Sequence, residues 1–191
     1  GATTVGALGI SNNINGTVTC VQNGFQDGGS SIISQNLGAG NTKRAIGTFW
    51  RLLVINSIIG AVGLVLMNVF LEPISWLFAN SAEGYNREFQ ELIMHVFRYE
   101  SMGGCIPLGI NSACMALLFG FGKTKLTLVS NFSRVFVFRI PILWALQNLT
   151  DIGSESVGIV MAASNTLTAM LSFTIAMIVL RQVKKESREK K

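Results

Sequence analysis

Read for the spacing of apolar and polar positions, the chain divides into five long apolar stretches, at about 8–37, 48–71, 96–121, 126–148 and 157–180. Leu52 to Leu71, Ser101 to Gly122 and Ser156 to Leu180 contain no ionisable carboxylate or base. Each is long enough to cross a bilayer, which takes about 20 apolar residues as an α-helix. The connections are short, so consecutive helices are expected to pack antiparallel. The pattern predicts an all-α, polytopic transmembrane bundle of about five spans.

Composition agrees. The chain of 191 residues is 49% hydrophobic and 13% charged, with a mean hydropathy of +0.46, whereas soluble domains carry about 25% charged residues. The net charge of +5 is not a nucleic-acid patch, because its distribution follows the spans. Lys43, Arg44 and Arg51 follow span one, Lys123 and Lys125 follow span three, and Arg181, Lys184, Lys185, Arg188, Lys190 and Lys191 follow span five. The alternate connections are acidic, with Glu72, Glu83, Glu88 and Glu91 against Arg87, then Asp151 and Glu155. The positive-inside rule places the basic connections in the cytoplasm and the start of the chain outside. Residues 183–191 read as a basic cytoplasmic tail beside anionic lipid. The expected location is the inner (plasma) membrane. A start at Gly1 with neither Met nor a signal-peptide pattern reads as a piece of something longer.

Span one is the least apolar. Asn12, Gly16, Thr19, Asn23, Asp27, Ser30 and Ser34 recur at helical spacing and form one stripe. Counted back from Leu37, Asp27 lies about 15 Å deep by helical rise, near the middle of a roughly 30 Å hydrocarbon core. A carboxylate there must be solvated, paired or protonated. Two readings stay open: a packing stripe with Asp27 bonded to a neighbouring helix, or a water-filled passage with a titratable or cation-binding group.

Span four holds Arg134 and Arg139, which an α-helix directs to different sides because they are five positions apart. Arg134 shares a face with Asn131 and is the better candidate for a buried partner of Asp27 or of a residue missing from this chain. Arg139, two residues before Pro141, either meets carbonyls freed by a kink or snorkels outward. Arg98 and Glu100 are read near the outer end of span three, and Asn165 begins a milder stripe in span five. The candidate pathway residues are therefore Asp27, Asn23, Ser30, Asn131, Arg134 and Asn165. Cys20, Cys105 and Cys114 lack metal-ligand spacing and read as small buried hydrophobes. Gly122-Lys123-Thr124 imitates the end of a phosphate-binding loop, but Leu117 stands where the earlier glycine is required. Gly38 and Gly40 read as a helix C-cap and tight turn.

The run Gly24-Phe-Gln-Asp-Gly-Gly-Ser-Ser-Ile-Ile-Ser-Gln-Asn-Leu-Gly-Ala-Gly-Asn-Thr-Lys-Arg-Ala45 resembles the second-helix signature of each half of MATE multidrug exporters. Phe119-Gly-Phe-Gly-Lys-Thr124 and the stretch from Asn131 to Pro141 resemble the turn and helix that follow later in a half. The resemblance implies that residues 1–182 are most of one six-helix lobe, helices eight to twelve of a twelve-helix transporter. It also implies exchange of Na⁺ or H⁺ for cationic or amphipathic drugs by alternating access. The position of one branch's acidic cation ligand falls near Pro107 and Leu108, which do not titrate. The expected partners are the lipid bilayer, the amino-terminal lobe and a small-molecule substrate, with no nucleic acid, no metal and no cofactor beyond the coupling ion. A flippase for lipid-linked oligosaccharides and a non-transporting membrane scaffold are the alternatives. No nucleophile and base pair or carboxylate pair points to an enzyme.

Overall fold

A computed structural model describes residues 2–81, 84–149 and 155–189. The first helix, α1, runs Ala2–Gly38, and α2 runs Thr42–Val69. A short helix, α3 (Leu71–Ala79), leads to a two-residue antiparallel hairpin of β1 (Asn80–Ser81) and β2 (Gly84–Tyr85). Helix α4 covers Arg87–Gly120. The next rod is composite: α5 (Thr124–Phe132), a π-helical stretch (Ser133–Arg139) and α6 (Ile140–Leu149). Helix α7 covers Glu155–Glu189. The all-α bundle is as expected, while α3 and the hairpin occupy a connection that apolar periodicity left unassigned.

Among the described residues, four helical segments are long and apolar enough to cross a membrane: Thr42–Val69, Arg87–Gly120, Thr124–Leu146 and Gly158–Lys185. Helix α1, the remaining expected crossing, has ample length at 37 residues, but its polar stripe lowers its hydropathy. Several bounds shift outward. Helix α1 starts at Ala2 rather than near 8, and α4 starts at Arg87 rather than near 96. The start of α4 is set by Asn86, whose side chain accepts a 3.0 Å hydrogen bond from the Phe89 amide. An exposed Arg87–Glu91 ion pair, one helical turn apart, follows it.

Helix α4 is the hub and packs on α1, α2, α3 and α7, while the α5–α6 rod leans on α7. The outward faces of α2 (Val54, Ile58, Val62, Val65) and of the composite rod (Phe132, Phe136, Val137, Ile140, Trp144) are exposed and apolar, as suits helices bordering lipid. Small residues let the backbones approach at α4. A Cβ on Gly60 would lie 2.5 Å from the Cys105 carbonyl oxygen, and one on Gly109 2.6 Å from that of Asn56.

Apolar clusters occupy both ends of the bundle. One gathers Ile33, Ala45, Phe49, Cys114, Leu117, Ala176 and Leu180, and the other Ile14, Leu71 and Phe97. A polar layer joins the helices between them. Gln22 Nε2 donates to the carbonyls of Cys105 (2.8 Å) and Asn56 (3.3 Å), and Ser112 Oγ donates to the Gln22 carbonyl (3.0 Å). Ser172 Oγ donates to Asn111 Oδ1 at 2.7 Å and lies 2.6 Å from Ser130 Oγ.

The two glycine turns have one construction. After α1, Gly40 takes φ +74° and the Asn41 amide reaches back to the Asn36 carbonyl at 2.8 Å. After α4, Gly122 takes φ +68° and the Lys123 amide reaches the Leu118 carbonyl at 2.8 Å. Both are left-handed glycine caps that satisfy the last carbonyls of a helix. Gly122-Lys123 thus ends a helix and follows no strand.

Candidate functional site

The buried face of α1 presents Ser11, Asn15 and Gln22 at helical spacing. Opposite them on α4 lies Glu100, only 3% exposed. Ser11 Oγ donates to Glu100 Oε2 at 2.5 Å, and Asn15 Nδ2 donates to Oε1 at 3.5 Å. The Cys105 thiol, one turn further along α4, donates to Asn15 Oδ1 at 3.1 Å and holds that amide in its orientation. The carboxylate is thereby fixed from one side by neutral donors.

Its other side opens on a pocket of about 170 Å³. Helix α1 contributes Asn12, Asn15, Gly16 and Thr19, and α4 contributes Glu100 and Leu108. Arg134 and Arg139 enter from the π-helical stretch, and Met161 and Asn165 from α7. The Nε atoms of both arginines are buried without a hydrogen-bond partner. Among the described residues neither guanidinium lies within ion-pair distance of a carboxylate. The pocket therefore carries two permanent positive charges against one carboxylate.

The convergence of the two arginines corrects the expectation that they point apart. Between them the backbone hydrogen bonds skip five residues, as in the Ile140 amide bound to the Val135 carbonyl. This wider turn brings residues five apart to nearly the same side. Pro141 contributes to the cause, because it supplies no amide to the preceding turn.

Depth also changes the picture. The uncharged run of α2, Leu52 to Leu71, has its middle near Ala61 and Val62. At that level Gly63 packs on Val18 of α1, and Gly60 packs on the backbone of Cys105 in α4. Glu100 is five residues, or about 7.5 Å by helical rise, from Cys105, and it adjoins Gly158 and the Asn68–Ser101 contact near the outer ends of the uncharged runs of α7 and α2. Asp27 is nine residues from Val18, or about 14 Å, near the edge of the apolar zone rather than its middle. Glu100 is near the outer end of the span, as expected, but it is buried in protein, whereas Asp27 is exposed.

Of the residues singled out from the sequence, Arg134 and Asn165 line the pocket. Asn23 and Asp27 are exposed on α1, Ser30 is half-buried, and Asn131 is exposed on α5. Arg134 thus shares the pocket with Glu100, and Asp27 lies outside it. The upper part of the α1 stripe, Asn12, Gly16 and Thr19, forms the pocket wall, and Asn23 and Asp27 continue the same face beyond it. Cys105 and Cys114 are buried, whereas Cys20 is exposed. Missed in the sequence were Glu100, Ser11, Asn15 and the joint placement of Arg139. The helix-start signal at Asn86-Arg87 would have shown that Glu100 lies thirteen residues inside α4, where neighbouring helices can bury it.

A larger groove of about 620 Å³ between α1 and α2 is mostly apolar, with Arg51 its one charged lining residue, and offers no comparable chemistry.

Together these features define a polytopic helical membrane protein with a charged pocket buried among its spans. The chain belongs to the MatE family, whose model matches residues 1–145. No curated protein sequence matches it significantly. Its fold is similar to a solved structure described as the inward-facing conformation of a multidrug resistance MATE family transporter of the MOP superfamily. The TM-score is 0.80 at 14% identity over 96% of this chain. The chain spans about 45% of that transporter's length.

Proposed function

We propose that the chain is the carboxy-terminal lobe of a secondary transporter that exports amphipathic compounds in exchange for Na⁺ or H⁺. Its counterpart in this reading is an amino-terminal lobe, and the two move against each other in the inner membrane, with the basic tail in the cytoplasm. The observation that carries the reading is the charged pocket at the head of the α1 stripe, whose face continues past Asn23 to the exposed Asp27. A purely structural stripe would be buried and paired. Here Asp27 has no part in the pocket, and Arg134 faces a cavity instead of a carboxylate partner, which weighs against the scaffold alternative. The two guanidinium groups weigh against a cationic drug head in this pocket. Asp27, the acid on the open part of the stripe, is the group assigned to the exchanged Na⁺ or H⁺.

The test is gradient-driven efflux by the full-length transporter. Asp27→Asn is expected to lower the coupled rate about tenfold or more, because an exposed acid on the open part of the stripe is placed to carry the exchanged charge. Ser34→Ala, whose hydroxyl only bonds the Ser30 and Gly120 carbonyls, should stay near wild type. Equal efflux by Asp27→Asn at equal abundance would make Asp27 a structural residue and remove this assignment.

A further inference from the structure

We infer that the pocket closed by Arg134 and Arg139 binds a negatively charged group of the transported compound, such as a carboxylate, sulfonate or phosphate. The inference rests on the pocket being part of the transport path and adds the chemical class of its ligand. An arginine keeps its charge in proteins, and a buried N–H donor left unpaired is costly. Both Nε atoms are in that condition. Glu100 attracts Arg139 across the pocket, but it bonds Ser11 and Asn15, and no ion pair or hydrogen bond joins it to either arginine Nε. The open pocket leaves both donors room for a further partner.

The geometry favours an anion in particular. The π-helical stretch turns two planar five-donor groups toward one space, and the guanidinium fork matches the oxygens of carboxylates and phosphates. The amide of Asn165 lines the same space and adds a neutral donor. A volume of about 170 Å³ is below the roughly 300–1,000 Å³ of a pocket enclosing a drug-sized molecule. It holds a head group and leaves the remainder of the compound outside it. Glu100 opposes the anion, so neutralising that carboxylate strengthens binding.

The experiment uses purified full-length transporter and two probes of one shape, 1-naphthyl phosphate and 1-naphthylmethylammonium, followed by naphthyl fluorescence. Wild type is expected to bind the phosphate saturably and in preference to the ammonium. Arg134→Gln or Arg139→Gln should raise the phosphate Kd about tenfold or more, the scale of one charged hydrogen bond. Arginine to lysine at either site should raise it less, and Glu100→Gln should lower it. The ammonium probe should bind these arginine variants no more weakly than wild type. Lysine variants replace any glutamine variant that does not elute as folded protein, and wild-type selectivity decides the matter without any variant. Ammonium bound as tightly as phosphate, or phosphate binding indifferent to both arginines, would overturn the inference. Repeating the titration in phosphatidylcholine nanodiscs with and without phosphatidylglycerol separates two sources of the anion. Displacement of the probe assigns the site to a lipid headgroup and no displacement to a soluble compound, and either supports an anion site. Arginine-dependent phosphate binding by a protein without gradient-driven flux would retain the site and remove the transport reading. Flux with arginine-independent binding would do the reverse.

Discussion

Purified and reconstituted by itself, the 191-residue chain is expected to insert into liposomes and to move no substrate. Insertion follows from helices that satisfy their own backbone hydrogen bonds in lipid and from the four segments of sufficient length and hydropathy among the described residues. Transport requires a second body. Asn12, Asn23 and Asp27 lie exposed on α1, and alternating access needs one bundle to rock against another around a shared site. Without that cover, the polar stripe meets lipid or drives nonspecific association. The check is dye movement under an imposed Na⁺ or H⁺ gradient, with and without a co-expressed amino-terminal half. Activity only on co-expression is the expected outcome. Gradient-dependent movement by the chain alone would refute the half-transporter reading.

Replacing Gly103 with leucine is expected to destabilise the folded bundle strongly in detergent. A Cβ at Gly103 would lie 2.2 Å from the Ala162 Cα and 2.5 Å from its carbonyl oxygen. These are backbone atoms, which cannot swing aside as a flexible side chain would. Overpacking of a closed contact costs about 1–3 kcal/mol and sometimes more, and the larger figure applies where the obstacle is main chain. Helices α4 and α7 must separate there, which also parts Glu100 on α4 from Asn165 on α7. Gly9→Leu is the control, since nothing lies within 4 Å of a Cβ at Gly9 and both substitutions gain the same helix propensity. Thermal unfolding of the full-length protein should show a large drop for Gly103→Leu and almost none for Gly9→Leu. Equal midpoints would mean that α4 and α7 are not in contact at this position.

The helical rods and both glycine turns were legible in the sequence because uncharged length and left-handed glycine are local properties. The polar stripe of α1 was legible for the same reason. The site was legible only in part. Glu100 looked peripheral because the apolar run of α4 begins beside it, whereas the helix itself begins at an Asn86 cap on the solvent side. Arg134 and Arg139 were separated by an α-helical count that a π-helical stretch replaces, and that irregularity leaves only Pro141 as a trace. Asp27 was placed too deep because its depth was counted from a helix end, not from the level at which Gly63 meets Val18. What local pattern does not carry is the register of one helix against another.

The central claim is that the α1 stripe faces water on a path open to one side of the membrane at a time. Thiol accessibility of Thr19→Cys in the full-length transporter, with its native cysteines replaced by serine, tests it most directly. Thr19 lines the pocket, while Val62→Cys on the exposed face of α2 serves as the lipid-facing control. An impermeant reagent should modify Thr19→Cys from one side, and from the other after the gradient is reversed, while Val62→Cys stays unmodified. Protection of Thr19→Cys from both sides under every gradient would contradict the account.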